Sequence, residues 1–220
     1  MTETFKKLTR KHLTPKRINR FWLIYYSVGV IGFAFPFTRE LFQNLTGVSI
    51  LMSTVIMLWF HRPWNSRFIG ASVFVLIGGI FIEALGVNTG VIFGEYQYGA
   101  TLGPKISGTP LLIGINWVML VYIVWQLVQK INLHGGGPLL IGSAILVGYD
   151  LFLEPVAIES DMWNWAGKNV PHQNYLAWFI ISFVFLSVFK LTKVRYDNPV
   201  APGLLAAQIG FFFLLNLLNL

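Results

Sequence analysis

The stretch FIGASVFVLIGGIFIEALGVN, residues 68–88, decides the fold because it contains a single ionisable side chain, Glu83. The hydrocarbon core of a bilayer is roughly 30 Å thick, and a helix of about 20 apolar residues spans it. The stretch therefore predicts a transmembrane helix. A carboxyl within such a helix is costly unless it faces other helices or a cavity, so Glu83 is the first residue to explain.

Apolar runs of the same character occur six more times, at about 21–37, 45–60, 110–129, 138–154, 173–191 and 200–220. Hydrophobic residues make up 55% of the 220-residue chain and charged residues only 11%, whereas a soluble domain has about 25% charged residues. The sequence predicts an all-α, polytopic bundle of about seven transmembrane helices, forming one domain over residues 21–220. We expect Pro155 to end the fifth helix, because the residue before a proline disfavours the helical conformation.

Basic residues indicate the orientation of this bundle. Seven of the sixteen Lys and Arg residues precede residue 21. With the N-terminus in the cytoplasm, the inner segments hold thirteen of the sixteen, and the outer loops hold only Arg39, Lys105 and Lys168. This excess follows the positive-inside rule. We predict a basic cytoplasmic segment over residues 1–20 and a multi-pass protein of the cell (inner) membrane.

Other classes of partner are disfavoured by composition. The net charge of +7 would suggest nucleic acid in a soluble protein, but here the clustered bases have a topological meaning, and membrane lipid is the expected contact. The chain has no Cys, which excludes disulfides and thiolate metal sites. Its four His residues are scattered, so no metal site is expected.

Acidic residues concentrate on the outer side of the predicted bundle, where three of them lie in or at the ends of apolar helices. Glu83 lies roughly 8 Å inside its helix end and Asp150 about 6 Å inside, at 1.5 Å per residue. Glu154 is four residues after Asp150, so the two share one helix face. Asn116 and Trp117 enter from the same side to roughly 10 Å. We expect these acids to meet in an interior cavity, although they could instead only hold helices together through hydrogen bonds.

Two outer loops, at residues 93–108 and 155–172, are long for so small a membrane protein. They are rich in large aromatic residues, namely Tyr96, Tyr98, Trp163 and Trp165. Such residues are common as a belt at the membrane surface. Long loops are also often functional, so the same residues could form a lid over a pocket. Both interpretations are consistent with the sequence.

Carboxyls in an apolar, aromatic pocket suit acid–base chemistry on a hydrocarbon. Burial favours the protonated form of a carboxyl group, which can donate its proton to an alkene carbon. Aromatic faces would stabilise the carbocation that results, and a second carboxylate could deprotonate an attacking water. Glu154, Asp150 and Glu83 could divide these roles. The residues permit this reaction without requiring it.

Three segments resemble a known family: FGEYQYGATLGPKISGTPLLIGINWVMLVY (93–122), YDLFLEPVAIESDMWNW (149–165) and VPHQNYLAWF (170–179). They are similar to the carotenoid biosynthesis membrane proteins, which include carotenoid 1′,2′-hydratases and bisanhydrobacterioruberin hydratases. The resemblance covers residues from about 68 to 191. The family pattern has Asp where this chain has Glu154 and Gly where it has Ala177, so the exact role of Glu154 is open.

The resemblance implies that water adds across the terminal 1′,2′ double bond of an acyclic carotenoid, giving a tertiary alcohol without a cofactor. It makes Asp150 and Glu154 the leading catalytic candidates, with Glu83 as their partner. The expected substrate-binding residues surround these acids and are Tyr96, Tyr98, Asn116, Trp117, Trp163, Trp165, Asn174 and Trp178. The expected partners are a hydrophobic carotenoid, membrane lipid and other carotenoid enzymes.

Two other functions compete with hydration. Intramembrane acids also relay protons in transporters, so a proton-coupled carrier is possible. A carrier usually shows inverted repeats and sites near the midplane, whereas this chain shows no clear repeat and places its acids toward one side. A non-catalytic scaffold for pigment enzymes is the other alternative. It predicts that replacing the acids by amides leaves pigment composition unchanged.

Overall fold

The structure is a computed structural model that describes residues 13–167 and 169–219. Within these ranges the chain forms eight α-helices: α1 Pro15–Ala34, α2 Pro36–Asn44, α3 Thr46–Trp59, α4 Ser66–Thr89, α5 Leu112–Val128, α6 Gly137–Glu159, α7 His172–Leu191 and α8 Ala201–Leu217. Four short strands, β1 Tyr96–Tyr98, β2 Lys105–Ile106, β3 Thr109–Pro110 and β4 Trp163–Trp165, lie in the loops. The all-α prediction is confirmed. Residues 1–12 of the predicted basic segment, and Lys168, lie outside the described residues.

Each of the seven predicted apolar runs corresponds to a helix, and α2 is the addition. Phe35 is extended and ends α1, and Pro36 then occupies the first turn of α2, where its missing N–H costs little. The Thr38 hydroxyl donates to the Gly32 carbonyl at 2.7 Å, and Arg39 Nε donates to the Phe33 carbonyl at 3.0 Å. These bonds satisfy carbonyls that the end of α1 leaves free.

Helix length and hydropathy identify a membrane protein. Three described helices, α4, α6 and α7, are long and apolar enough to cross a membrane, and α2 with α3 would make a fourth span bent by 53°. The helices α5 and α8 are shorter but also apolar. Large apolar side chains on the outside of α4, such as Ile77 and Phe81, are exposed, as expected for contact with lipid. The count of seven crossings is compatible with these helices, and their orientation stays a prediction.

Pro155 does not end its helix, so that prediction was wrong. Helix α6 continues to Glu159, and the loop predicted to begin at residue 155 begins at Ser160. Prolines are tolerated in membrane helices because neighbouring groups satisfy the freed backbone, and helical bonding resumes when the Ser160 N–H donates to the Val156 carbonyl at 2.9 Å. Asp150 is therefore nine residues from the helix end, at a depth of roughly 13 Å.

Helix α5 forms the centre of the bundle. Its residues from Trp117 to Gln126 are buried on every side, which is the pattern of a helix surrounded by others. It packs against α3, α4, α6, α7 and α8, while α6 packs along α7 and α1 packs along α8. This arrangement brings the C-terminal ends of α4 and α6 beside the N-terminal ends of α5 and α7. The acidic residues lie at that end.

Candidate functional site

The two predicted outer loops pair with each other through β1 and β4. The strands are antiparallel, with Tyr96 opposite Trp165 and Tyr98 opposite Trp163. Because successive side chains of a strand point to opposite faces, these four aromatic residues share the inner face, while Gln97 is exposed on the outer face. We call residues 96–98 and 163–165 the aromatic ribbon. The interpretation of the two loops as a lid stays a prediction.

Glu83 is held by three donors beneath the aromatic ribbon. Its side chain is only 5% exposed. Its Oε2 accepts hydrogen bonds from the hydroxyls of Tyr96 and Tyr98, both at 2.7 Å, and its Oε1 accepts from Trp117 Nε1 at 3.0 Å. The carboxyl is therefore fixed in position by β1 and α5.

Both tyrosines on β1 act as hydrogen-bond donors. Burial raises the pKa of Tyr98 well above its usual value, and the neighbouring Glu83 carboxylate raises it further. The same two causes raise the pKa of Tyr96. Each phenol therefore keeps its proton and directs it at Glu83.

Glu154 is held by the other strand of the ribbon. Its Oε2 accepts from Trp163 Nε1 and Trp165 Nε1, both at 3.0 Å, and its Oε1 accepts from Asn174 Nδ2 at 3.0 Å. Indole and amide N–H groups can only donate, so their positions show that both oxygens of Glu154 serve as acceptors. Each strand of the aromatic ribbon thus positions one carboxyl.

Asp150 lies one helical turn deeper than Glu154 and shares a hydrogen-bond donor with it. Asn174 Nδ2 donates to Asp150 Oδ2 at 2.8 Å as well as to Glu154 Oε1. The prediction that the two acids share one helix face is therefore confirmed. Asp150 is fully buried, and its Oδ1 has no hydrogen-bond partner among the described residues.

A cavity of about 340 Å³ lies between the ribbon and the helices. Glu83 and Glu154 line it, as predicted, but Asp150 does not. All eight predicted substrate-binding residues line it: Tyr96, Tyr98, Asn116, Trp117, Trp163, Trp165, Asn174 and Trp178. The indoles of Trp117 and Trp178 pack with ring centroids 4.5 Å apart. The structure therefore brings two acids and many aromatic side chains to one cavity.

Residues 45–220 match the model of a family described as "Carotenoid biosynthesis protein". The chain belongs to this family. Over 151 residues it is 31% identical to a bisanhydrobacterioruberin hydratase of Haloarcula japonica, and the match covers 63% of this chain and 52% of that protein. The chain thus spans about half the length of this curated relative. No solved structure matches the chain.

The sequence-based prediction missed one wall of the cavity in this carotenoid biosynthesis protein. Away from the acids, the cavity extends between α1, α3 and α8, where Tyr26, Ser49 and Gln208 line it. The Tyr26 hydroxyl accepts a hydrogen bond from Gln208 Nε2 at 3.0 Å and lies 3.0 Å from Ser53 Oγ. These three polar residues are visible in the sequence inside apolar runs. Their presence alone does not predict which helices pack together.

Asp150 also differs from the prediction in depth. The predicted match in depth with Glu83 rested on a helix that ended at Glu154, and α6 is five residues longer. Glu83 and Glu154 are the acids at matching depth, roughly 9 Å and 7 Å from their helix ends. Among the described residues, no group of three or more His, Cys, Asp or Glu residues could hold a metal ion. Independence of a cofactor stays a prediction.

Proposed function

We propose that this protein is an enzyme of carotenoid biosynthesis that adds water across the terminal 1′,2′ double bond of an acyclic carotenoid, without a cofactor. Two buried carboxyls that face one aromatic cavity, Glu83 and Glu154, carry the proposal. A curated relative is named as a hydratase of bisanhydrobacterioruberin, which supports the same class of reaction here.

Glu154 is the proton donor in this reaction. Its Oε1 and the Oδ2 of Asp150 are both within 3.0 Å of Asn174 Nδ2, and two buried carboxylates this close repel each other. The pair therefore retains a proton, as in other carboxyl dyads. Only Glu154 lines the cavity, and its Oε1 accepts a single hydrogen bond, which leaves room for the proton. It protonates C2′ of the alkene and leaves a tertiary cation at C1′.

The cation at C1′ is stabilised by the walls of the cavity. The aromatic faces of Tyr96, Trp163 and Trp165 attract a positive charge through their π-electrons. Glu83, fixed by its three donors, places a negative charge in the same space. Because these groups are already oriented, they need not reorganise as the charge develops.

Water then attacks C1′ and gives its proton to Glu83. The Oε1 of Glu83 accepts one hydrogen bond, from Trp117, so a lone pair is free for this step. The product is a tertiary alcohol. The proton gained by Glu83 returns to the Asp150–Glu154 pair between turnovers, so one water is consumed and no net proton is used.

Replacement of Glu154 tests the proposal in a host that produces acyclic carotenoids. The wild-type protein should yield carotenoids that have gained one water, detected by mass spectrometry. Glu154→Gln removes the proton donor and should lower the hydrated product by about a hundredfold or more. Glu154→Asp keeps a carboxyl and should retain activity. Glu159→Gln, at the exposed end of the same helix, is the matched control and should behave as wild type.

Other outcomes would favour the competing functions. If Glu154→Gln and Glu83→Gln leave the hydrated product unchanged while deletion of the gene removes it, the protein is a scaffold. If the wild-type protein yields no hydrated carotenoid, hydration is wrong and a carrier becomes the better interpretation. The proposal also includes a multi-pass placement in the cell (inner) membrane, contact with membrane lipid and association with other carotenoid enzymes.

A further inference from the structure

The cavity reaches the outer surface of the helix bundle. From the carboxyls it continues between α1, α3 and α8 to Val28 and Leu45, which line it and are 49% and 42% exposed. Leu45 lies at the bend between α2 and α3. We call this part of the cavity the side arm, with its mouth at Val28 and Leu45. The surface around the mouth is apolar, with Ile24, Ile31 and Leu41 exposed, so the mouth faces the bilayer.

Walls of the side arm suit a flat, conjugated hydrocarbon. Phe33, Phe42, Phe211 and Phe212 all line the cavity, and Phe33 and Phe211 pack edge to face at 5.7 Å. Gly29 keeps the arm open on the α1 side, because a Cβ at this position would lie 3.0 Å from the Phe211 ring. A larger residue at position 29 would therefore point into the space between α1 and α8.

A carotenoid is a long, stiff chain, whereas the cavity lies at one end of the helix bundle and opens at Val28 and Leu45. A molecule whose end group lies beneath the aromatic ribbon therefore extends out of the cavity. The mouth of the side arm opens where an apolar chain is soluble.

The geometry points to end-on binding from the lipid. One acyclic end group lies between Glu83 and Glu154, the adjoining conjugated chain lies in the side arm, and the remainder passes Val28 and Leu45 into the bilayer. This inference rests on the proposed function and specifies how its substrate binds. Since only one end fits, a carotenoid with two acyclic ends is hydrated at one end, released, and bound again by the other end.

Narrowing the side arm tests this mode of binding with two substrates of different length. Gly29→Leu fills the arm, and Val28→Trp narrows its mouth at an exposed position where folding is not at risk. Purified protein is given either a full-length acyclic carotenoid or a ten-carbon acyclic hydrocarbon with the same trisubstituted end bond. Both variants should hydrate the carotenoid at least about tenfold more slowly and hydrate the short hydrocarbon at the wild-type rate. The control is Gly70→Leu on α4, where a Cβ would meet no atom within 4 Å.

Each result has a definite consequence. If Gly29→Leu and Val28→Trp leave hydration of the carotenoid unchanged, end-on binding through the side arm is wrong while the proposed function stands. The same conclusion follows if a folded variant hydrates the carotenoid and the short hydrocarbon with equally reduced rates. If the wild-type protein hydrates neither substrate, the proposed function fails and the binding mode with it. Thermal unfolding of each variant identifies those that do not fold.

Discussion

Asn174 joins the two acids of α6, Asp150 and Glu154, by hydrogen bonds. Its single amide nitrogen donates to both Asp150 and Glu154, and its side chain is buried. Asn174→Leu would remove the amide donor of Asp150 Oδ2 and Glu154 Oε1, and removing a buried partner of this kind costs about 1–3 kcal/mol. We expect a lower thermal midpoint in detergent and a loss of hydration activity. Asn164→Leu, on the exposed face of β4, should change stability by less than about 0.5 kcal/mol, and equal losses in the two variants would contradict this role for Asn174.

Individual site residues were largely predictable because a carboxyl in an apolar run has few alternatives to an interior position. Glu83 and Glu154 were assigned to the cavity on that ground, and both line it. Asp150 was misplaced in depth, since the rule that helices end before proline is weaker in membrane helices. Hydrogen-bond partners were not predictable. Those of Glu83 include Tyr96 and Tyr98, which reach it only through a loop whose path depends on tertiary contacts.

Among the elements of the fold, the two strands of the aromatic ribbon could not be predicted from the sequence. Alternation at Tyr96 and Tyr98, and at Trp163 and Trp165, is the pattern of strands with one buried face. Each strand has only three residues, too few for a periodicity to be recognised. The pairing of β1 with β4 also joins segments far apart in the chain, so it depends on α4 and α6 ending at the same end of the bundle.

His61 joins three elements at the opposite end of the bundle from the acids. It follows α3, is fully buried, and stacks on Phe68 of α4 with ring centroids 3.7 Å apart. Its Nε2 lies 2.9 Å from the Pro63 carbonyl, which can only accept, so Nε2 carries the proton and Nδ1 accepts from the Tyr122 hydroxyl of α5 at 3.0 Å. The hydroxyl of Tyr122 in turn accepts from Asn198 Nδ2 at 2.8 Å. Neutral imidazole is the form that fits this network.

Stability should therefore depend on pH through His61. Burial lowers the pKa of His61 in the folded protein below its usual 6.5, so the unfolded chain binds a proton more readily. The contribution of His61 to the free energy of unfolding is fully present above about pH 6.5. It is lost as the pH falls below 6.5 and through the lowered pKa of His61 in the folded protein. Thermal midpoints measured between pH 7.5 and about 5 should fall further for wild type than for His61→Gln. The exposed His134→Gln serves as the control, and a pH profile unchanged by His61→Gln would rule out this contribution.

Orientation in the membrane is a property of the whole molecule, and basic residues indicate it. Residues predicted to be cytoplasmic meet at one end of the structure, where Lys190 Nζ donates to the Gly135 carbonyl and Lys130 pairs with Asp197 at 2.7 Å. Arg195 donates to the Gln129 carbonyl at the same end, at 3.1 Å. Lysine and arginine near helix ends are retained on the cytoplasmic side. The aromatic ribbon and the carboxyls should therefore lie on the outer side.

Labelling of single cysteines in cells tests this orientation cleanly, because the chain has no cysteine of its own. Gln97→Cys lies on the exposed face of the ribbon, and His134→Cys lies in the exposed loop between α5 and α6. A thiol reagent that cannot cross membranes should label position 97 in intact cells and position 134 only after permeabilisation. The wild-type chain, which has no thiol, gives the background. The reverse pattern would place the carboxyls at the cytoplasmic surface, and a carotenoid end group would then have to reach them from the inner leaflet.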